Sequence, residues 1–269
     1  MMIPEIKIDY LTIDPTNPNT KPARWIKLSD TKLLIIVGVT GVGKSTTVAA
    51  MAAGGLSYSL LPNRRELTDR FMISFLQQQQ DELLALVQDR SSRFEYTRRY
   101  RQQFPGGMGH TLAQLSIDQN MLTAEWLIFD GLRGENEVAY AAEWLPNARF
   151  LMLDAPDYIR VQRLLKRNDA FDQIGSAGSE SIHLADLGDV NSLFSETDLQ
   201  KLLQLVDRGE VTLDELRGKL EIVKKERQNY DPAATKMALL RDAADRTIYV
   251  NSATMSAGEA AAFALDKLY

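Results

Sequence analysis

Cysteine is absent from all 269 residues, which removes disulfides, thiolate metal sites and cysteine nucleophiles at once. Histidine is nearly as scarce: His110 and His183 are too few to make a zinc site a good expectation. Positive charge is not in excess either. The formal net charge is -5, which argues against general binding to nucleic acid or to an anionic membrane, since both need concentrated basic charge. No apolar run approaches the ~18 residues needed to span a bilayer. The first residues also lack a charged-then-apolar leader pattern, so a cytoplasmic protein with no membrane partner is expected. With 45% hydrophobic residues, the chain can bury one full core and carry a sizeable insertion.

What is present is concentrated in Lys32 to Thr47. Leu33-Leu34-Ile35-Ile36-Val37 reads as a buried strand, and Gly38, Gly43, Lys44 and Ser45 then fill the spacing GxxxxGK followed by Ser or Thr, the P-loop pattern. The intervening residues are Val39, Thr40, Gly41 and Val42. Glycine lets the backbone turn tightly, so that successive N–H groups, through Thr46, meet phosphate oxygens. The helix that starts near Lys44 adds the positive end of its dipole, and the Lys44 ammonium reaches the terminal phosphates. Ser45 is left to hold magnesium. The helix former runs to Ala53 and stops at Gly54-Gly55, a C-terminal glycine signal. Binding of ATP with Mg2+ is the expectation.

Glu125-Trp126-Leu127-Ile128-Phe129-Asp130-Gly131 is a second informative strand, apolar and ending in an acid, as a Walker B strand does. A carboxylate at that end lies beside the P-loop and orients magnesium or its waters. Residues 56–61, 149–154 and 246–251 are further strands. Strands alternating with helices predict an α/β fold with a doubly wound parallel sheet, here of five strands. In the helix opening at Asp157, Arg160, Arg163 and Arg167 share one face, suited to neutralising charge during phosphoryl transfer. A solvated basic surface is the plainer alternative.

Several segments fall outside this pattern. Residues 1–30 contain an alternating run at Ile6, Ile8 and Tyr10, a turn-rich break and a second run at 24–28, which suggests a small hairpin beside the core. Residues 64–90 have helical periodicity. Residues 91–104 are dense in arginine and aromatics, including Arg101. Such a segment suits a nucleotide-like acceptor or a single strand, and equally a solvated helix whose arginines lie over its rings. Residues 172–230 open with a small polar stretch at 175–188. Two helix-start boxes follow, Thr197 with Gln200 and Thr212 with Glu215, each leading into a leucine stripe. The resulting hairpin reads as a lid whose Lys224, Lys225 and Arg227 reach the phosphates, or as a homodimerisation arm. The chain thus divides into an extension (1–30), a core (31–171), a helical insertion (172–230) and the rest of the core (231–269).

These residues resemble the P-loop kinases of nucleoside monophosphates and related small acceptors, most closely the dephospho-CoA-kinase-like and adenylate-kinase-like members. The resemblance rests on the P-loop from Gly38 to Thr46 and on Phe129-Asp130-Gly131-Leu132-Arg133 followed by Glu137-Val138. It extends to Asp154-Ala155-Pro156 leading into Arg160, Arg163 and Arg167, and to the final run 244–251. It implies a P-loop NTPase fold in which Arg133 lies near the acceptor and Arg65 contacts the acceptor phosphate. It further implies that Arg163 and Arg167 serve the moving phosphoryl group and that the backbone at Asn251 to Ala253 lies by the base. The sequence departs from the family at Asn168-Asp169-Ala170-Phe171-Asp172, where a second lid arginine is common, and in its long helical hairpin.

The leading expectation is therefore phosphoryl transfer from Mg-ATP to a small acceptor, with Lys44, Asp130, Arg163 and Arg167 as the catalytic set. Two alternatives stand beside it: a regulatory ATPase switch whose hairpin binds a partner protein, and a polynucleotide-end kinase using Arg93 to Arg101. The acidic balance weighs against the latter. A GTPase is disfavoured because no Asn-Lys-x-Asp motif is present, and a transport-type ATPase because no Leu-Ser-Gly-Gly signature is.

Overall fold

A computed structural model describes residues 9–14, 16, 24–166 and 194–269. Its strands are β1 (Leu11–Thr12), β2 (Trp25–Lys27), β3 (Leu33–Val37), β4 (Tyr58–Leu60), β5 (Ser116–Asp118), β6 (Trp126–Leu132), β7 (Arg149–Asp154) and β8 (Thr247–Asn251). Its helices are α1 (Lys44–Ala53), α2 (Arg64–Leu67), α3 (Ser74–Gln79), α4 (Arg90–Gln103), α5 (Gly107–Gln114) and α6 (Glu135–Trp144), followed by α7 (Asp157–Leu165), α8 (Glu196–Asp207), α9 (Leu213–Asn229), α10 (Pro232–Asp242) and α11 (Ala257–Leu268).

Five strands form one parallel sheet in the order β4-β6-β3-β7-β8. All five residues of β3, the central strand, are buried. A strand covered on both faces needs no polar alternation, which is why it reads as an unbroken aliphatic run. Leu33, Ile35 and Val37 enter the core under α5, α6 and α10, whereas Leu34 and Ile36 enter the core under α1 and α11. Helices thus lie on both faces of a five-stranded parallel sheet whose central strand feeds the glycine loop. This is the α/β P-loop NTPase fold that the sequence predicts. Among the described residues, no helix is long and apolar enough to cross a membrane.

The insertion's described part packs on the sheet's neighbour rather than on the sheet. Leu199, Leu202 and Leu203 of α8 and Leu216, Leu220 and Val223 of α9 close a small core against Val161 and Leu164 of α7. The cap of α8 is Ser195, whose hydroxyl accepts from the Asp198 amide, two residues before the expected Thr197. Thr212 and Glu215 do form the expected capping box.

Two other local expectations are corrected. Ile6 and Ile8 of the expected N-terminal hairpin lie outside the described residues; among those described, β1 and β2 do not pair with each other but both pair antiparallel with β5, which lies between them. The helix expected over 64–90 ends at Gln79. A π-helical turn, Thr68–Ile73, shifts its register, and Asp81 adopts a positive φ of 54°. The Gln77 amide then holds Ala85 through both its N–H and C=O, at 3.2 and 3.0 Å. Leu83 and Leu84, within the run expected to be helical, are exposed.

Candidate active site

The glycine loop leaves β3 through a closely packed turn. Gly38 has φ 142°, and a Cβ there would meet the Leu153 carbonyl oxygen at 2.5 Å. Gly41 has φ 86°, and a Cβ would meet the Arg160 backbone and Cβ at 3.0 to 3.2 Å, so α7 lies directly against the loop. Val39 and Val42 are buried beneath it as anchors. Gly43 is the N-cap of α1 and supplies no side chain, which leaves the first-turn amides uncapped by a side chain, as an anion site requires. Ser45 and Thr46 sit exposed in that turn. Lys44 folds back along the loop and donates from Nζ to the Val39 carbonyl at 3.2 Å. Burial, with Arg133 and Arg160 nearby, pushes its pKa below the ordinary lysine value, and Asp130 and Glu226 partly offset the shift.

The parallel pairing sets Asp130 beside the loop. Ile36 is in register with Asp130 and Val37 with Leu132, so β6 bulges at Gly131 just as it passes Gly38. Asp130 Oδ1 lies 3.7 Å from Lys44 Nζ and is buried with no hydrogen-bond partner. A buried carboxylate oxygen without a donor fits a cation. Magnesium is usually held by one or two protein oxygens, with phosphates and waters completing its shell, so Asp130 and Ser45 are a sufficient donor set. Among the described residues, no group of three or more His, Cys, Asp or Glu could hold a metal unaided.

One side of the loop is tied to α7 and α9 by buried charge. Arg160, fully buried, donates from Nε to the Thr40 carbonyl at 2.8 Å, from Nη1 to Asp157 at 2.6 Å, and from Nη2 to Glu226. Glu226, near the end of α9, accepts from the Thr40 amide at 3.0 Å, from the Thr40 hydroxyl at 2.6 Å and from Arg133 at 2.9 Å. Asp157 also accepts from Arg227 at 2.7 Å. Of the three side chains expected to reach phosphates from this hairpin, Lys224, Lys225 and Arg227, the arginine pairs here with Asp157 and Lys224 with Glu221. The α9 side chain on the loop is an acid. Arg163 lies beside Gly43 and donates to the Ser252 carbonyl at 2.5 Å and its hydroxyl at 2.9 Å, while Ser252 in turn donates to the Val42 carbonyl at 2.7 Å. This brings the chain after Asn251 against the loop. Arg167 and residues 175–188 lie outside the described residues.

At the start of α2, two adjacent arginines take different orientations. Asn63 caps α2 in a box with Glu66, and the resulting turn sends Arg64 inward and leaves Arg65 exposed. Arg64 donates to the Gly131 carbonyl at 2.7 Å and to both oxygens of Glu137 at 2.5 and 2.8 Å. Burial alone would raise the Glu137 pKa. The charge and hydrogen bonds of Arg64, with the amides of Arg133 and Met108, outweigh it and hold the carboxyl below its usual range. Arg101 packs its stem beside Gly107, next to Glu137, and donates from Nε to its own helix at Thr97.

A carboxyl held down in the folded state contributes stability that is present above its unfolded pKa and is lost as pH falls through the folded value. Urea denaturation across the acid range should therefore show parent stability declining below the ordinary carboxylate range. Glu137→Gln should flatten that decline, and parallel profiles for the two proteins would contradict the assignment.

Sequence reasoning missed Glu226, Asp157, the inward turn of Arg64 and the Ser252 side chain on the loop, although it placed the backbone of 251–253 by the base. Of these, only Arg64 had a local signal, the Asn63–Glu66 capping box; the others lie far from the loop in sequence.

No family model and no curated protein matches the chain. Among solved structures it is similar to a gluconokinase from Sinorhizobium meliloti 1021, with 11% identity over 90% of this chain and 93% of that one and a TM-score of 0.38. It is also similar to the protein TT1252 from Thermus thermophilus, with 16% identity, 88% and 96% covered and a TM-score of 0.42. A third is an unliganded sugar kinase from Janibacter sp. HTCC2649, with 17% identity, 76% and 98% covered and a TM-score of 0.27.

Proposed function

We propose that this chain is an ATP-dependent phosphotransferase that moves the terminal phosphoryl group of Mg-ATP to a small, nucleotide-like acceptor. The observation that carries this reading is Lys44 Nζ, at the start of α1, 3.7 Å from Asp130 Oδ1 near the carboxyl end of β6, with that oxygen buried and, among the described residues, without a hydrogen-bond partner. Phosphoryl transfer asks little covalent chemistry of a protein, and positioning and positive charge carry most of it. Lys44 and the first turn of α1 hold the phosphates. Arg163, beside Gly43, supports the loop where charge develops. Asp130 and Ser45 are the magnesium ligands, and the ion, when bound, neutralises phosphate charge. Asp130 is also suited to accept the proton of an acceptor hydroxyl. Arg101 and Arg133 flank the acceptor side, which favours an anionic, nucleotide-like acceptor over a neutral one.

ATP turnover measured against nucleosides, nucleotides, cofactor precursors, sugars and oligonucleotide ends tests the reading. One acceptor should stimulate ADP release and appear phosphorylated in the products. Release that depends on a partner protein, with no phosphorylated product, would replace the kinase with a switch. Asp130→Asn should weaken magnesium-dependent turnover far more than metal-free nucleotide binding, because the carboxylate acts through the ion. Identical magnesium titrations for variant and parent would leave Asp130 as an ordinary strand-end acid.

A further inference from the structure

The side chain on the Thr40 amide is the wrong charge for a helper of nucleotide binding. Thr40 is the third residue of the glycine loop, where backbone N–H groups turn toward phosphate oxygens. Its amide and hydroxyl are both taken by the Glu226 carboxylate. The same carboxylate accepts from Arg133, on the acceptor side of the loop, and from the buried Arg160. It also lies close enough to Lys44 to act on that ammonium's charge. A backbone amide, a hydroxyl, two guanidinium groups and a nearby lysine are the donors that a phosphoryl group recruits. Glu226 collects them from an α9 position 186 residues away in sequence.

We infer that Glu226 stands in the place of the nucleotide's terminal phosphate and sets the discrimination between triphosphate and diphosphate. The inference rests on the proposal that the loop binds ATP. A terminal phosphate and the Glu226 carboxylate require the same Thr40 and Arg133 donors, and two anions at hydrogen-bond distance from one amide repel strongly. ATP therefore exchanges with Glu226. ADP, held by Lys44 and the first turn of α1, leaves it in place. Glu226 is thus a positioning residue. In the absence of a triphosphate it keeps Arg133 and Thr40 aligned, and on exchange it hands them to the transferring group.

The test is calorimetric binding of ATP and of ADP, each with magnesium, to the parent and to Glu226→Gln, which keeps the side chain's shape and removes its charge. Glu226→Gln should tighten ATP about tenfold, the change expected when charge-assisted hydrogen bonds of the competing group become neutral ones. ADP should change less than about twofold. Hydrogen exchange of the parent gives a reading that needs no variant. A non-hydrolysable ATP analogue should slow exchange in the loop around Thr40 and speed it at the end of α9, while ADP slows the α1 turn alone. Equal factors for ATP and ADP, or α9 exchange that is unchanged or slowed by the analogue, would make Glu226 a structural strut and overturn the inference while leaving the nucleotide site intact. No binding of either nucleotide to parent and variant would overturn the site reading and this inference together.

Discussion

Lys44→Ala is expected to lower ATP turnover by at least two to three orders of magnitude, the scale of losing one preorganised donor to a transition-state charge, and more if the lysine also holds the ground-state phosphates. The fold should survive, because Lys44 supports no core contact. Among the described residues its Nζ donates only to Val39 within the same loop, and its one acidic neighbour within 4 Å is Asp130. Its pKa is lowered mainly by burial, with Arg133 and Arg160 adding to the shift. The loop therefore holds a partly desolvated ammonium with weak local compensation, which is a poor arrangement for stability and a good one for an arriving polyanion. Thermal melting should move by no more than a few degrees, and the variant should fall in kcat as well as in ATP affinity. Unchanged turnover in a folded variant would remove the loop from the chemistry.

The parts of this site legible in the sequence are those encoded by neighbouring residues. β3 announced itself because a strand buried on both faces must be apolar throughout, and the loop because glycine spacing and a lysine at a fixed offset carry the phosphate chemistry. Asp130 was legible for the same reason: the acid follows an aliphatic run, and parallel pairing with β3 then fixes its height beside Ile36. Contacts made across the chain were not legible. β5 is three residues long and gains strand character only by receiving β1 and β2 on its two edges. Glu226 reads as one more charge in a basic run, and only the packing of α9 on α7 turns it toward Thr40. The choice between Arg64 and Arg65 needed the capping geometry at Asn63. Helical periodicity over 64–90 misled because the helix stops at Gln79 and Asp81 turns the chain with a positive φ, so Leu83 and Leu84 fall beyond the helix and outside the core.

Arg160→Met should destabilise the protein by about 3–5 kcal/mol in urea denaturation at neutral pH, the range for removing one partner of a buried ionic network. Arg160 has no exposed surface, and its guanidinium bonds a carbonyl of the loop, the first residue of α7 and the end of α9. Methionine refills much of the volume, so the loss measures charge and hydrogen bonding more than a cavity. Two carboxylates are left behind in low-dielectric surroundings, Asp157 with Arg227 and Glu226 with Arg133. These surviving partners favour the lower end of the range. The Thr40 carbonyl loses its donor as well, so ATP affinity should fall together with stability. The double variant Arg160→Met with Glu226→Gln separates the terms. It removes the uncompensated Glu226 charge, and its cost should be smaller than the sum of the two single costs by about 0.5–3 kcal/mol, the size of coupling between residues in one network. Additivity within a few tenths of a kcal/mol would mean that Arg160 and Glu226 act independently, and a single-variant cost below about 0.5 kcal/mol would mean that the buried network does not hold the loop to α7 and α9.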